Sequence, residues 1–294
     1  MGVISGGSGG GGGGAVILRV NGLSGTSISA TLGSKTVSGT IPTAGVLELS
    51  LGKVGQWAVT ASKSGYSFTQ QVKAFTYGIT EIWALAKKAF YDCTTTEIQA
   101  IAKSGMYKQY WAIGDYHKIT LTTGEEINVE IADFDHDETP GGTKIPLTLI
   151  MKYCFANTYS MGGIGWNNAT LRTSDTLKSL FPSDWLSIMT TAKKLTAESA
   201  SNLYETSDLI WVPSMSELFS SMSDVFRKDE GYLYPIFTNN ASRIRCPSSY
   251  GYFTRSIYFP NENYYLNVTD SGTQYGARDT ANSSDKLVVG FCVG

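Results

Sequence analysis

The densest run of groups able to do chemistry is Asp133-Phe-Asp-His-Asp-Glu138, four carboxylates and an imidazole in six residues. Carboxylate oxygens at that density could hold Ca²⁺ or Mg²⁺. The run lacks the DxDxDG spacing of a calcium loop, and Thr139-Pro-Gly-Gly142 follows it directly. It therefore reads as a turn after a strand. His117 and His136 are the only imidazoles. A Ser-His-Asp hydrolase would need one of them beside an activated serine, yet no GxSxG singles one out. Cys93, Cys154, Cys246 and Cys292 form no CxxC pair. With two histidines that argues against structural zinc, and the cysteines read as small buried hydrophobes in a reducing compartment. Cys246 or Cys292 as a nucleophile would need a partner the sequence does not identify. Gly162-Gly-Ile-Gly-Trp-Asn-Asn168 has neither the lysine of a Walker loop nor a preceding parallel strand. It reads as a close-packed turn with Trp166 buried, and Arg172 as a partner for a buried carboxylate. The expectation is a non-enzyme, with no catalytic residue, metal or cofactor.

Chemistry of another kind gathers at 261–285, with four Asn, three Tyr, three Ser, three Thr and three Asp. Tyrosine offers large contact area at the cost of few rotamers, and Asn and Ser offer adaptable hydrogen bonds. A disordered linker would be poorer in tyrosine. A core strand would be richer in Val and Ile.

The elements that must position these groups differ along the chain. Residues 1–14 form a glycine-rich tether. From 15 to 77 short β-prone runs recur at 15–20, 27–32, 46–51, 57–62 and 68–74, separated by turn signals such as Asn21-Gly22 and Ser64-Gly65. That spacing predicts a small β-sandwich of the immunoglobulin-like, carboxypeptidase-regulatory type. Residues 78–110 read as a helical connector, with Ile82, Leu85, Ala86 and Phe90 on one face and a second helix starting near Thr96. From 111 to 294 the text gives a hairpin (117–122 and 127–132), helices at 173–181 and 183–195, and a short helix capped by Ser214 and Glu217. Ser183 or Asp184 is the expected cap of the helix at 183. Aromatic strands and long loops complete an α+β plan.

Charged residues are 16% of the chain and the net charge is −2, which leaves no basic field for nucleic acid. Apolar runs fall short of a membrane span, so no membrane insertion is expected. Met1-Gly-Val-Ile-Ser-Gly6 lacks a basic region followed by an apolar one, so the chain reads as made in the cytoplasm without a signal peptide.

An ordered string of motifs carries a resemblance across about 80–294. It comprises Trp111-Ala-Ile-Gly-Asp-Tyr-His-Lys-Ile-Thr-Leu-Thr-Thr-Gly-Glu-Glu126, Asp133-Phe-Asp-His-Asp137 and Gly165-Trp-Asn-Asn-Ala-Thr-Leu-Arg-Thr173. Phe181-Pro-Ser-Asp-Trp185, Thr206-Ser-Asp-Leu-Ile-Trp-Val-Pro-Ser214, Phe253-Thr-Arg-Ser256 and Val289-Gly-Phe-Cys-Val293 complete it. The string resembles a domain family of unassigned function in tail proteins of phages and prophages of gut bacteria. That family's fold is similar to the C-type-lectin-like fold of formylglycine-generating-enzyme relatives. The chain departs from the pattern at Phe253, where Trp is usual, and at Ile257, where Pro is usual. No cysteine pair matches the enzymes' active site, so their activity is not carried over.

The resemblance implies an α+β C-type-lectin-like domain whose chain ends pair and whose C-terminal loops spread over one face. It implies a virion-tail receptor-binding protein that attaches to a bacterial surface protein or glycan beside other phage tail proteins. A homo-oligomer is compatible with that role. Related domains are diversified by retroelements that mutate Asn codons, which yield the residue types enriched at 261–285. The expected contacts are Tyr250, Tyr252, Tyr258, Asn261, Asn263, Tyr264, Tyr265, Asn267 and Tyr275, held by a scaffold of Trp166, Arg172, Trp211, Arg255 and the terminal strand. The alternative is a structural tail or baseplate subunit.

Overall fold

The computed structural model describes residues 14–64, 67–68, 70–84, 86–163, 165–197, 202–222, 229–246, 251–259, 261, 263–279 and 284–294. The chain divides into two compact units, 1–88 and 89–294, each built mainly of β-sheet.

In the first unit alternating apolar residues make strands with one wet face. The strands are β1 (Val16–Gly22), β2 (Ser27–Leu32), β3 (Lys35–Thr40), β4 (Val46–Ser50) and β5 (Gly55–Ser62), then β6 (Ser67–Phe68), β7 (Gln71–Phe75), β8 (Gly78–Ala84) and β9 (Ala86–Lys87). One sheet has the order β4-β1-β8 and another β3-β2-β5-β7, while β6 pairs with β9. Val16, Leu18 and Val20 of β1, Ile28 and Ala30 of β2, and Trp57 and Val59 of β5 meet in one core, as period-2 patterning requires.

Three expectations change here. Residues 79–84 are strand rather than helix: β8 runs parallel to β1, with Ile82 paired to Val20. The same letters that place Ile82 and Ala86 four apart also place Ile82 and Ala84 two apart, and both of these are buried in the sheet core. The run 68–74 is split between β6 and β7. Strand β3 escaped notice because it is almost wholly polar, an exposed edge paired only to β2. The connector expected at 78–110 thus has its first residues in a strand of the first unit.

The second unit opens with α1 (Thr95–Ser104), whose Thr94 and Glu97 make a capping box, and α2 (Tyr107–Tyr110). The hairpin follows as β10 (Tyr116–Thr120) and β11 (Glu126–Phe134), then β12 (Leu147–Met151). Short helices α3 (Thr170–Thr173), α4 (Thr176–Leu180) and α5 (Ser183–Ile188) lead to β13 (Met189–Thr190), β14 (Ala192–Ala197), β15 (Leu203–Asp208) and β16 (Ile210–Trp211). After α6 (Met215–Leu218) and α7 (Asn240–Arg243) come β17 (Tyr252–Ile257), β18 (Tyr264–Val268), β19 (Gln274–Asp279) and β20 (Gly290–Val293).

The main sheet has the order β10-β11-β12-β20-β13, with β16 also on β20; β14-β15 and β17-β18-β19 are separate antiparallel sheets. The C-terminal strand therefore lies beside β12, with β11 and β12 between it and β10, and does not pair with the first strand of the domain. The helix expected over 183–195 stops at Ile188, because Ala192, Lys194 and Thr196 alternate onto a buried face as β14. Its cap position is Pro182, so neither Ser183 nor Asp184 caps it. Ser214 and Glu217 do form their reciprocal cap on α6. Gly251 makes the entry to β17 possible: its φ is +123°, and a Cβ there would strike the Val268 carbonyl oxygen.

Candidate functional site

Beneath β17 lies a closed charge network. Lys194 Nζ reaches Asp137 Oδ1 at 2.5 Å, Glu217 Oε1 at 3.0 Å and Tyr234 Oη at 2.8 Å, and lies 3.7 Å from the Trp211 ring centre. Arg255 grips Glu217 through Nη1 at 2.6 Å and Nη2 at 3.0 Å, and also donates to the carbonyls of Val212 and Glu230. Glu230 accepts from Ala197 N and from Ser256 Oγ. Arg255 and Glu230 are 0% exposed, Glu217 1% and Lys194 2%.

Burial and pairing pull these carboxyls in opposite directions. Burial raises Asp137, but the Lys194 ammonium and the His136 ring outweigh it and hold the carboxyl far below the usual range. Glu217 is lowered for the same reason, with Arg255 and Lys194 overcoming burial. For Glu230 burial prevails over Arg255, and its carboxyl is raised. Burial also lifts the Cys292 thiol and, with Asp137 and Glu217, the Tyr234 hydroxyl. A second buried carboxylate, Asp208, takes Trp166 Nε1 at 3.0 Å, Arg172 Nε at 2.6 Å and Thr206 Oγ1 at 2.6 Å. Arg172 is thus the carboxylate partner expected from the sequence, and Trp166, Trp211 and Arg255 are core. Lys194, Glu217, Glu230 and Tyr234 were not anticipated as a network. The only signal was a lysine at a position that alternation makes buried.

The nine expected contact residues separate. Tyr252 is buried and donates its hydroxyl to the Arg243 carbonyl. Tyr265 is buried and donates to the Gly163 carbonyl at 3.0 Å, and Asn267 is buried and donates to Asp285 Oδ2 at 2.9 Å. These three cannot touch a ligand without unfolding the sheet, and the contact set is corrected accordingly. Each faces inward because β17 and β18 are covered on both sides, which the polar letters concealed. Tyr250 and the side chain of Tyr275 lie outside the described residues.

Tyr258, Asn261, Asn263 and Tyr264 remain together on the turn between β17 and β18, with the two Asn exposed and the two Tyr half-buried. The turn is closed on itself: Tyr258 N donates to Tyr264 O at 2.8 Å, Asn261 N to Tyr258 O at 3.0 Å and Asn263 N to Asn261 Oδ1 at 3.2 Å. Such bonding fixes the backbone while the two Asn side chains stay exposed.

At the other end of β18, four strand residues or roughly 13 Å away, Val268 pairs with Gln274, whose Nε2 donates to Ser221 O at 2.6 Å. Ser221 lines an open cleft of about 440 Å³ with Phe219, Ser220, Met222, Tyr232 and Leu233. Tyr232 is 82% exposed, the most exposed of the large hydrophobics among the described residues. Nothing in the local sequence distinguished it from an ordinary loop tyrosine.

The acidic run is divided among separate tasks. Asp135, at φ +53°, accepts from Tyr107 Oη at 2.5 Å and pairs with Lys108 at 2.6 Å; Asp137 enters the network; Glu138 pairs with Lys144 at 3.0 Å. Among the described residues no group of three His, Cys, Asp or Glu is disposed to hold a metal. His117 offers its two ring nitrogens to the carbonyls of Cys93 and Lys118, both at 2.8 Å. Cys154 and Cys246 form a disulfide, which corrects the expectation of four reduced thiols; Cys93 and Cys292 are buried thiols. Cysteines 92 residues apart meet because Cys154 N also bonds Arg245 O at 2.9 Å. Among the described residues no helix is long and apolar enough to cross a membrane. No protein-family model, no curated protein and no solved structure matches the chain.

Proposed function

We propose that the chain is a phage-tail receptor-binding protein, with an immunoglobulin-like spacer and a C-type-lectin-like domain that presents a ligand-binding face. The observation that carries this reading is the turn 258–264. It joins exposed Asn261 and Asn263 to half-buried Tyr258 and Tyr264 on a backbone bonded within the turn, on a sheet anchored by the buried network. A rigid frame with adaptable side chains lowers the ordering cost of binding. Tyr258 and Tyr264 would supply the large apolar terms, against a sugar face or a protein pocket. The cleft beside Tyr232 would extend the footprint.

The test compares the full chain with a variant in which Tyr258, Asn261, Asn263 and Tyr264 are all serine, on intact candidate host cells. Binding lost in a still-folded variant supports attachment, and equal binding by both sinks it. Retroelement diversification has its own test. Gene sequences from sibling isolates should differ at Asn codons of 261–285 and nowhere else in the domain.

A structural tail or baseplate role is the second reading, favoured by the first unit. Val72, Tyr77 and Ile79, at 66%, 62% and 52% exposed, are apolar groups on or beside the edge strands β7 and β8. Exposed apolar edges suit packing against another virion protein. Failure of tail assembly after Val72→Lys and Ile79→Lys, with cell binding by the free chain retained, would favour this role.

A further inference from the structure

Arg245 is 3% exposed, and its hydrogen bonds are confined to one end of the guanidinium. Nη1 donates to Glu130 Oε2 at 2.5 Å, to Met151 O at 3.3 Å and to Lys152 O at 3.2 Å. The Phe237 ring lies against its plane, 4.9 Å from Cζ. Nε is buried and has no acceptor among the described residues, and none of the three bonds involves Nη2. The N–H groups of Nε and Nη2 point the same way along one edge, the spacing that matches two oxygens of one carboxylate. A guanidinium Nε buried without an acceptor is costly unless something fills that edge.

The same arginine lines a cleft of about 260 Å³ with Gly114, Glu130, Lys152, Tyr153 and Ile236. Lys152 Nζ pairs with Glu130 Oε1 at 3.1 Å, so two cations face one carboxylate. Among the described residues that line it, the cleft carries one more positive than negative charge. Tyr153, 49% exposed, provides a ring at its mouth. The arginine is also held from behind, by the Cys154–Cys246 disulfide and by the Cys154 N bond to its own carbonyl. That is the construction of a positioned binding group rather than of a surface cation.

We propose that this cleft is a binding site for a small organic carboxylate, held bidentately by the Nε–Nη2 edge of Arg245 with Lys152 as the second positive charge. Glu130 holds the arginine in place without occupying that edge. The site is separate from the turn 258–264 and does not depend on what that turn meets. The carboxylate could belong to a sugar acid or to a peptide end, and Tyr153 would stack only on the former.

The test is calorimetric titration of the full chain with glucuronate, N-acetylglycinate and glucose. Binding of either carboxylate without glucose supports the site, and the tighter of the two names the source. Arg245→Lys keeps the charge but removes the paired donors, and should weaken binding about tenfold or more. Tyr153→Ala should weaken glucuronate alone. If Arg245→Lys does not fold, the Nε–H resonance of Arg245 in the unaltered protein is followed during titration instead. A shift with glucuronate and none with glucose supports the proposal. Failure of both carboxylates to bind, equal binding of glucose, or an unmoved Arg245 resonance overturns it.

Discussion

Tyr264 and Tyr265 are adjacent, identical in type and opposite in fate. Tyr264 ends the solvent-facing turn, while Tyr265 is buried with its hydroxyl on the Gly163 carbonyl. The same division separates two regions of the second unit. Under β17 the polar groups are spent on one another: Glu217 receives both Lys194 and Arg255. In the turn after β17, Tyr258 N and Asn261 N are bonded within the turn, and the Asn261 and Asn263 side chains are exposed. Polarity therefore does not distinguish an exposed turn from a core. What distinguishes them is whether each donor and acceptor already has a partner inside the fold. Arg245 belongs to neither group, being buried like the first and incompletely bonded like the second.

The sharpest way to break this comparison is to remove the centre of the network. Glu217→Ala leaves Lys194 and Arg255 buried with a lost partner, and should cost about 3–5 kcal/mol in urea unfolding. A cost under about 1 kcal/mol would mean that water reaches the cluster. Next in size is the tyrosine pair. Tyr265→Ala should lose about 3 kcal/mol as a buried aromatic, whereas Tyr264→Ala should stay within about 0.5 kcal/mol and act on cell binding instead. Cys246→Ser should lower stability by about 2 kcal/mol or somewhat more through loop entropy. It should also loosen Arg245, which hydrogen exchange at Cys154 N–H would report.

The smallest effects are those of pH. Asp137 and Glu217 have folded values below their ordinary 3.8 and 4.5. Their contribution is complete above those values and is lost as pH falls through the folded ones. Glu230 is raised above 4.5 and His136 above 6.5, so each favours the folded state more as pH falls toward its ordinary value. Thermal melts should therefore show a shallow gain from alkaline pH toward about 5, then a loss below about 4.5. Glu230→Gln should flatten the gain and leave the acid loss, and a melt series unchanged by that substitution would contradict the assignment.

Much of the architecture was legible where side-chain period and turn chemistry agree. Strands 16–22 and 27–32, the 116–134 hairpin and the Ser214–Glu217 cap all follow from local letters. Errors fell where local patterns are ambiguous. The runs after Gly78 and Ala192 fit a helical face nearly as well as a strand, and pairing with β1 and β15 decided them. Composition singled out polar and aromatic residues near the C-terminus, but it could not show that β17 and β18 lie in one sheet covered on both faces, which buries Tyr252, Tyr265 and Asn267.

What the sequence by itself determined is the inventory: a low-charge, β-forming chain in two stretches, with a polar and aromatic C-terminal segment. Those properties are local, set by residue type and near-neighbour spacing. Only the tertiary structure decided which polar groups meet. The joining of Lys194 to Asp137 and Glu217, of Cys154 to Cys246, and of Arg245 to Glu130 spans 57, 23, 92 and 115 residues. Partners so distant are chosen by sheet order and by the need to pair every buried charge, and no local window contains that information.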